Sequence, residues 1–262
     1  MLELQFGQAS DRGERELGKG DAMGWFIPDS RQQAQSHGYL FAVADGCGGQ
    51  GCGEGAAATA ISVLTGEFEK ARPGAMLISL LPELIQTANS EIHRGGHGGP
   101  PNGKGRATVV ACALRHDQAI VSHVGDSRCY LVRNGFARQV TQDAAHEPAK
   151  EAGYAKAEGI DGKNGMRRML GREAMVLPDT IALTLLAGDV LVLSTDGLHE
   201  RMSSEHIARI ASQAKSAGEI ARELVSCAVE ADGKDDTTAQ VIRVRAVDQT
   251  GAYRCPQHGM RA

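Results

Sequence analysis

The sequence has no apolar run approaching the roughly 20 residues that a membrane-spanning helix needs. Its opening stretch, MLELQFGQASDRGERELG, has no basic start followed by an apolar core, so no export signal is read and a cytoplasmic protein is expected. Basic charge is not in excess: 28 Lys and Arg stand against 32 Asp and Glu, a net charge of -4. That balance argues against a general binder of nucleic acid or anionic membrane. The six cysteines (Cys47, Cys52, Cys112, Cys129, Cys227 and Cys255) include no CxxC pair. Reduced thiols are therefore expected, with Cys112 and Cys129 buried in apolar runs. CPQH, at 255–258, is half a metal motif without a second ligand pair. No GKS or GKT follows a glycine-rich loop, which removes the usual nucleotide-binding signature. No internal repeat and no clear linker is seen. One domain over residues 1–246 is expected, with a flexible tail at 247–262.

What remains is an ordinary globular balance, 42% hydrophobic and 23% charged. LELQFGQAS alternates apolar and polar residues and reads as a half-buried strand. GYLFAVADG (38–46) is a continuous apolar run ending in Asp-Gly, a buried strand entering a turn. GEGAAATAISVLTGEFEKA and AMLISLLPELIQTANSEIHR have helical spacing, the second with a kink expected at Pro82. A glycine-rich loop is expected over 95–105. A strand meander over 106–140 follows, with an Asn-Gly hairpin signal in RNG. Residues 143–165 suggest one short helix. TIALTLLAGDVLVLSTDG gives two strands, and SSEHIARIASQA and SAGEIARELVSCAVEA two helices, with Ser203 or Ser204 and Ser216 at N-cap positions. TAQVIRVRAV closes the pattern as a strand. Hairpin-joined strands with helices in pairs predict an α+β fold: antiparallel sheets whose faces are covered by helix pairs.

ADGCGGQGCGEGA (44–56) packs many glycines between Asp45 and Glu54, at a large cost in backbone entropy. Asp45 is one of several aspartates at the ends of apolar strands. The others are Asp126 in VGDSR, Asp196 in STDG and the pair Asp235–Asp236 in GKDDTT, with Asp21 in GKGDA as a further one. Taken singly, an Asp-Gly is a turn signal. Taken together, carboxylates at strand ends can converge on one rim of a sheet, where they repel and are costly to desolvate. The usual remedy is a hard divalent cation with oxygen ligands, Mg²⁺ or Mn²⁺. The glycines would let the strand end and a backbone carbonyl approach such an ion.

In this order, the motifs resemble the metal-dependent Ser/Thr protein phosphatases of the type 2C (PPM) family, of the bacterial single-domain kind. The resemblance runs from about residue 8 to residue 245. SDRGERELGKGDA is similar to the family's opening Arg-to-Asp motif and VADGCGGQGCGEGA to its Asp-Gly-x-Gly-Gly element. VGDSRCYLVRNG, TQDAAHEP and MRRMLG resemble its middle segments, and STDGLHE and KDDTTAQVI its last two metal-bearing motifs. The resemblance implies a four-layer αββα sandwich, with two ions at one end. Asp21, Asp45, Asp196 and Asp235 would be side-chain ligands, and Gly46 would offer its carbonyl. Asp126 would help hold a third, weaker ion, and Asp236 is the alternative to Asp235 in a shifted register. The implied reaction is hydrolysis of phosphoserine and phosphothreonine on proteins. A metal-bridging water of lowered pKa attacks phosphorus directly, without a phosphoenzyme. The implied partners are a phosphorylated protein and its cytoplasmic Ser/Thr kinase, in signalling. A monomer is expected, with no nucleic acid and no membrane.

The first motif departs from the family pattern. Lys19-Gly20-Asp21 replaces the frequent Asn-Glu-Asp, and Glu16 stands where the phosphate-binding arginine is usual. Arg15 is taken for that role, with Arg12 as its neighbour. Cys47 occupies the place of a histidine that in some relatives protonates the leaving group, and Ala144 one where His is frequent. Arg128 is expected to hold a turn or a carboxylate, and His199 to sit behind or beside the site. These departures keep open a second reading, a pseudophosphatase serving as a metal-binding regulatory or scaffold protein. Retention of the clustered acids argues for the enzyme.

Overall fold

The computed structural model describes residues 2–13, 20–48, 52–95, 105–144 and 168–247. Arg15, Glu16, Lys19, most of the 95–105 loop, the short helix expected within 143–165 and the tail beyond Val247 lie outside the described residues.

Among the described residues, ten strands form two antiparallel sheets. One has the order β1 (Glu3–Asp11), β10 (Thr237–Ala246), β9 (Val190–Ser194), β6 (Arg128–Arg133), β7 (Phe136–Gln139). The other has the order β2 (Gly20–Phe26), β3 (Tyr39–Cys47), β4 (Arg106–Arg115), β5 (Gln118–Val124), β8 (Asp179–Thr184). Helices α2 (Cys52–Lys70) and α3 (Leu77–Gly95) cover the β2–β8 sheet. The short α4 (Asp196–His199), with α5 (Ser204–Ala211) and α6 (Ala217–Asp232), covers the β1–β7 sheet. The expected four-layer sandwich is what is observed.

Its layering explains the continuous apolar runs. Alternate residues of a strand face opposite sides, and here both sides are covered. In β3, Leu40, Ala42 and Ala44 pack under α2 and α3, while Phe41 and Val43 enter the core between the sheets. In β4, Val109, Ala111 and Ala113 face the helices, and Val110, Cys112 and Leu114 face the other sheet. Cys112 and Cys129 are buried, as expected, and the described cysteines are free thiols.

The local signals hold as well. Asn134 and Gly135 take φ values of 54° and 78° at the β6–β7 hairpin, as an Asn-Gly turn requires. Ser203 caps α5, and Ser216 forms a full capping box with Glu219 at the start of α6. Pro82 lies inside α3, which continues through it as one helix. Three elements were not anticipated. They are β2, α1 (Arg31–Ser36) and the single turn α4. β2 is glycine-broken in sequence, GDAMGWF, and is a strand through its full antiparallel pairing with β3.

Asp189 holds the crossing from β8 to β9. It is 1% exposed, takes both Nε and Nη2 of Arg133 at 2.7 Å, and accepts from Leu186 N. Asp189→Ala leaves that guanidinium and amide without their acceptor. It should cost about 2–4 kcal/mol in chemical denaturation, and a loss below about 1 kcal/mol would contradict this account.

Candidate active site

Strand direction gathers the acids. In the β2–β8 sheet, β2 begins and β3 ends at the same edge, so Asp21 and Asp45 are direct cross-strand partners. In the other sheet, β9 ends and β6 and β10 begin together. Ser194 pairs with Arg128 and with Ala239. That puts Asp196 just after β9, Asp126 just before β6, and Asp235–Asp236 just before β10 at one end. Like charges facing each other across strands are destabilising, and these six come from both sheets.

These acids lie close enough for their charges to act on one another. Asp45 has its carboxyl raised well above the usual range, first by burial and then by the charges of Asp196, Asp21, Asp126 and Asp235. Asp196 is pushed up to about 7 by burial, then by Asp235, Asp126, Glu200 and Asp21. Asp21 is pushed up to about 6 by burial, with the hydroxyls of Thr238 and Thr195 pulling the other way and Asp236 and Asp235 adding to the rise. Without a cation, this end of the sandwich favours protons on its acids.

The glycines have a second use that the sequence did not show. A Cβ on Gly46 would run into the backbone of Gly53 in the first turn of α2, and one on Gly20 would lie 2.9 Å from Glu54 Cβ. A Cβ on Gly105 would meet the Cys52 carbonyl. The thin backbone thus lets the start of α2 sit directly against the ends of β2 and β3.

Asp235 and Asp236 differ in role. Asp235 adds to the field on Asp45 and Asp196, while Asp236 adds to that on Asp21 and accepts from Gly13 N at 3.0 Å. A Cβ on Gly13 would also meet the Asp235 backbone. The stretch after β1 is therefore pinned over the start of β10, and Arg12 stands at the rim. There its Nη2 pairs with Glu54 Oε1 at 3.0 Å, with the two side chains 81% and 54% exposed. Arg15 lies outside the described residues.

Behind the acids lies a polar layer in which Arg128 and His199 were expected from the sequence, whereas Thr195, Tyr130 and Asp143 were not. Thr195 Oγ1 donates to Asp21 Oδ2 at 2.7 Å. Arg128 grips Asp143 through Nε and Nη2, the latter at 2.6 Å, and Tyr130 Oη at 3.0 Å, so it does hold a carboxylate. His199, half-buried beside this pair, is lowered to about 3 by burial and then by the Arg128 charge. The repeated hydroxyls of STDG and DDTT were the available signal.

An ion fits this donor set in kind. All the side-chain donors are hard oxygens, and Asp21 Oδ1 is buried with no hydrogen-bond partner of good geometry. Among the described residues, no group of three or more His, Cys, Asp or Glu side chains is arranged to hold an ion without further ligands. Mg²⁺ in particular completes its shell with waters and needs only one or two carboxylates of its own.

The double-sheet sandwich is shared with a solved Ser/Thr protein phosphatase. The catalytic domain of the Mycobacterium tuberculosis Ser/Thr phosphatase PstP, solved with two manganese ions, superposes with a TM-score of 0.74 at 27% identity. That match covers 94% of this chain and 100% of that one. The chain belongs to the protein phosphatase 2C family, whose model matches residues 24–231. That span includes Asp45, Asp126 and Asp196, and leaves Asp21 and Asp235–Asp236 just outside it. Among curated relatives, the Ser/Thr phosphatase Stp of Listeria monocytogenes is 29% identical over 217 residues, 80% of this chain and 85% of that protein. A putative type 2C phosphatase of Streptococcus pyogenes is 30% identical over 215 residues, 80% of this chain and 87% of that protein.

Proposed function

We propose that this chain hydrolyses phosphoserine and phosphothreonine on proteins by direct attack of water on phosphorus, and so opposes a cytoplasmic Ser/Thr kinase. The observation that carries this reading is the meeting of Asp21, Asp45, Asp126, Asp196 and Asp235 at one end of the sandwich, with Asp45, Asp196 and Asp21 all raised. The proposed ligands of two divalent ions, Mn²⁺ or Mg²⁺, are Asp21, Asp45, Asp196, Asp235 and the Gly46 carbonyl, with Asp126 serving a third. Bound there, the ions would supply a water of lowered pKa and positive charge for the phosphoryl oxygens.

The rest is the work of the chain. Asp236 holds the Gly13 amide, next to Arg12 at the rim. Arg15 is proposed to take the phosphate. Arg12 is the second choice because Glu54 already engages it. Asp235, whose charge acts on Asp45 and Asp196, is the first choice as a ligand and Asp236 the second. Arg128 and Asp143 brace the wall beside Asp126 and His199. No covalent role falls to Cys47 or Cys52. Residues 1–246 are proposed to be one catalytic domain that acts as a monomer. Among the described residues, no helix is long and apolar enough to cross a membrane.

The test is hydrolysis of p-nitrophenyl phosphate and of a phosphothreonine peptide in EDTA, Mg²⁺ and Mn²⁺, beside Cys47→Ala. Hydrolysis of both that requires an ion and survives Cys47→Ala is expected. A folded protein that binds Mn²⁺ yet hydrolyses neither would establish the pseudophosphatase reading instead.

A further inference from the structure

We propose that Thr195 is a positioning residue: its hydroxyl turns the Asp21 carboxylate so that Oδ1 is the oxygen presented to a divalent ion. The inference rests on the ion-binding reading above, and three observations carry it.

The first is the direction of the hydroxyl proton. Thr195 is 0% exposed, so no solvent competes for its side chain. Its Oγ1 accepts from the Thr238 backbone amide at 3.0 Å. A hydroxyl has one proton to give. With Oγ1 already accepting from an amide that cannot reverse, that proton goes to Asp21 Oδ2, 2.7 Å away.

The second is a bond not made. Thr195 is the N-cap of α4, where a threonine hydroxyl ordinarily accepts from a backbone amide of the first turn. Here the cap has no side-chain hydrogen bond. The hydroxyl is turned out of the helix and across the sandwich, from the end of β9 to the start of β2. Thr238, whose amide fixes it, is itself held through Oγ1 by Ser10 Oγ at 2.8 Å.

The third is the oxygen left over. With Oδ2 taken by Thr195, Asp21 Oδ1 is buried with no hydrogen bond of good geometry, although the nearby Thr238 hydroxyl also lowers this carboxyl. A buried, unsatisfied carboxylate oxygen is expensive, and a cation at this end would satisfy it. Carboxylates that bind metals are commonly oriented by hydrogen bonds of this sort, and removing the orienting group typically weakens metal binding by about 10- to 100-fold.

The experiment is calorimetric titration of Mn²⁺ into EDTA-stripped full-length protein, wild type beside Thr195→Val, Thr195→Ser and Asp196→Asn, with circular dichroism to confirm folding. Thr195→Val keeps the shape and deletes the hydroxyl. Its Mn²⁺ affinity should fall by about 10- to 100-fold, while Thr195→Ser stays close to wild type. Should Thr195→Val not fold, Thr195→Ala makes the same deletion with less bulk and carries the same expectation. Activity of the deletion variant should return at higher Mn²⁺, which a merely misfolded fraction would not do. Unchanged Mn²⁺ affinity in the folded deletion variant, with affinity lost in Asp196→Asn, overturns the role of Thr195 alone. Unchanged affinity in both overturns the ion site itself.

Discussion

Asp196→Asn is expected to lower Mn²⁺-dependent hydrolysis of p-nitrophenyl phosphate by about 10³-fold, or about 4 kcal/mol of barrier, and yet to make the metal-free protein more stable. Both halves follow from the same fact. Asp196 is pushed up to about 7 because it is buried and faces Asp235, Asp126, Glu200 and Asp21. In the presence of an ion that charge is useful. Without one it is a repulsion, and asparagine keeps the shape while removing it. At pH 8 in EDTA the variant should melt about 2–4 °C higher, corresponding to relief of about 1 kcal/mol. Mn²⁺ should raise its melting temperature far less than it raises that of wild type. A variant that keeps activity within tenfold of wild type, or melts lower in EDTA, would show that Asp196 is not a charged member of an ion site. Asp45→Asn should behave in the same way, since the Asp45 carboxyl is raised by the same group of acids.

The stabilisation conferred by Mn²⁺ should be large at pH 8 and should shrink towards nothing at pH 5. Asp21 and Asp196 move from 3.8 to about 6 and about 7 in the folded protein. A carboxyl whose pKa is raised on folding leaves the folded state holding more protons than the unfolded one between those limits. Stability is then lost as pH rises from about 4 to 7. The buried histidines work the other way. His123 and His199 are both lowered, so they cost stability as pH falls below about 6.5, where the unfolded histidine takes a proton. Melting in EDTA should therefore decline between about pH 7 and 8, where the unfolded histidines have largely lost their protons and Asp196 is still titrating. Subtracting the EDTA curve from the Mn²⁺ curve cancels the histidines, which belong to both. What remains is ion binding in competition with protons on the acids. At about a thousand times its dissociation constant, a ligand adds about 4 kcal/mol, and that increment should fade as the acids protonate. A difference curve that is flat from pH 5 to 8 would refute the picture of a shared carboxylate site.

The strands that read clearly in sequence are those with both faces buried. GYLFAVADG and RATVVACALR are apolar throughout because helices cover one face and the second sheet the other. β2 was illegible because Gly20 and Gly24 dilute its pattern, and its extended form depends on β3. α4 was illegible because one turn carries no periodicity. The acids could be picked out as a set because each sits at a strand end. The partners of Asp21 could not, since Thr195 and Thr238 are ordinary turn and strand residues until the chain is folded.

By itself the sequence determined most of the strand and helix segments, a cap at Ser203 or Ser204 and one at Ser216, the Asn134-Gly135 turn and the identities of the acids, because these depend on residues near one another in the chain. Only the tertiary structure decided which strands share a sheet. TIALTLLAGDVLVLS places two strands in succession, yet β8 joins β5 in one sheet and β9 joins β6 and β10 in the other. Only the tertiary structure, likewise, set Asp21 opposite Asp45 and brought Thr195 to Asp21 across 174 positions of sequence. Contacts of that kind arise from strand register and from the burial of faces on partners far away in the chain. Local propensity carries no record of either.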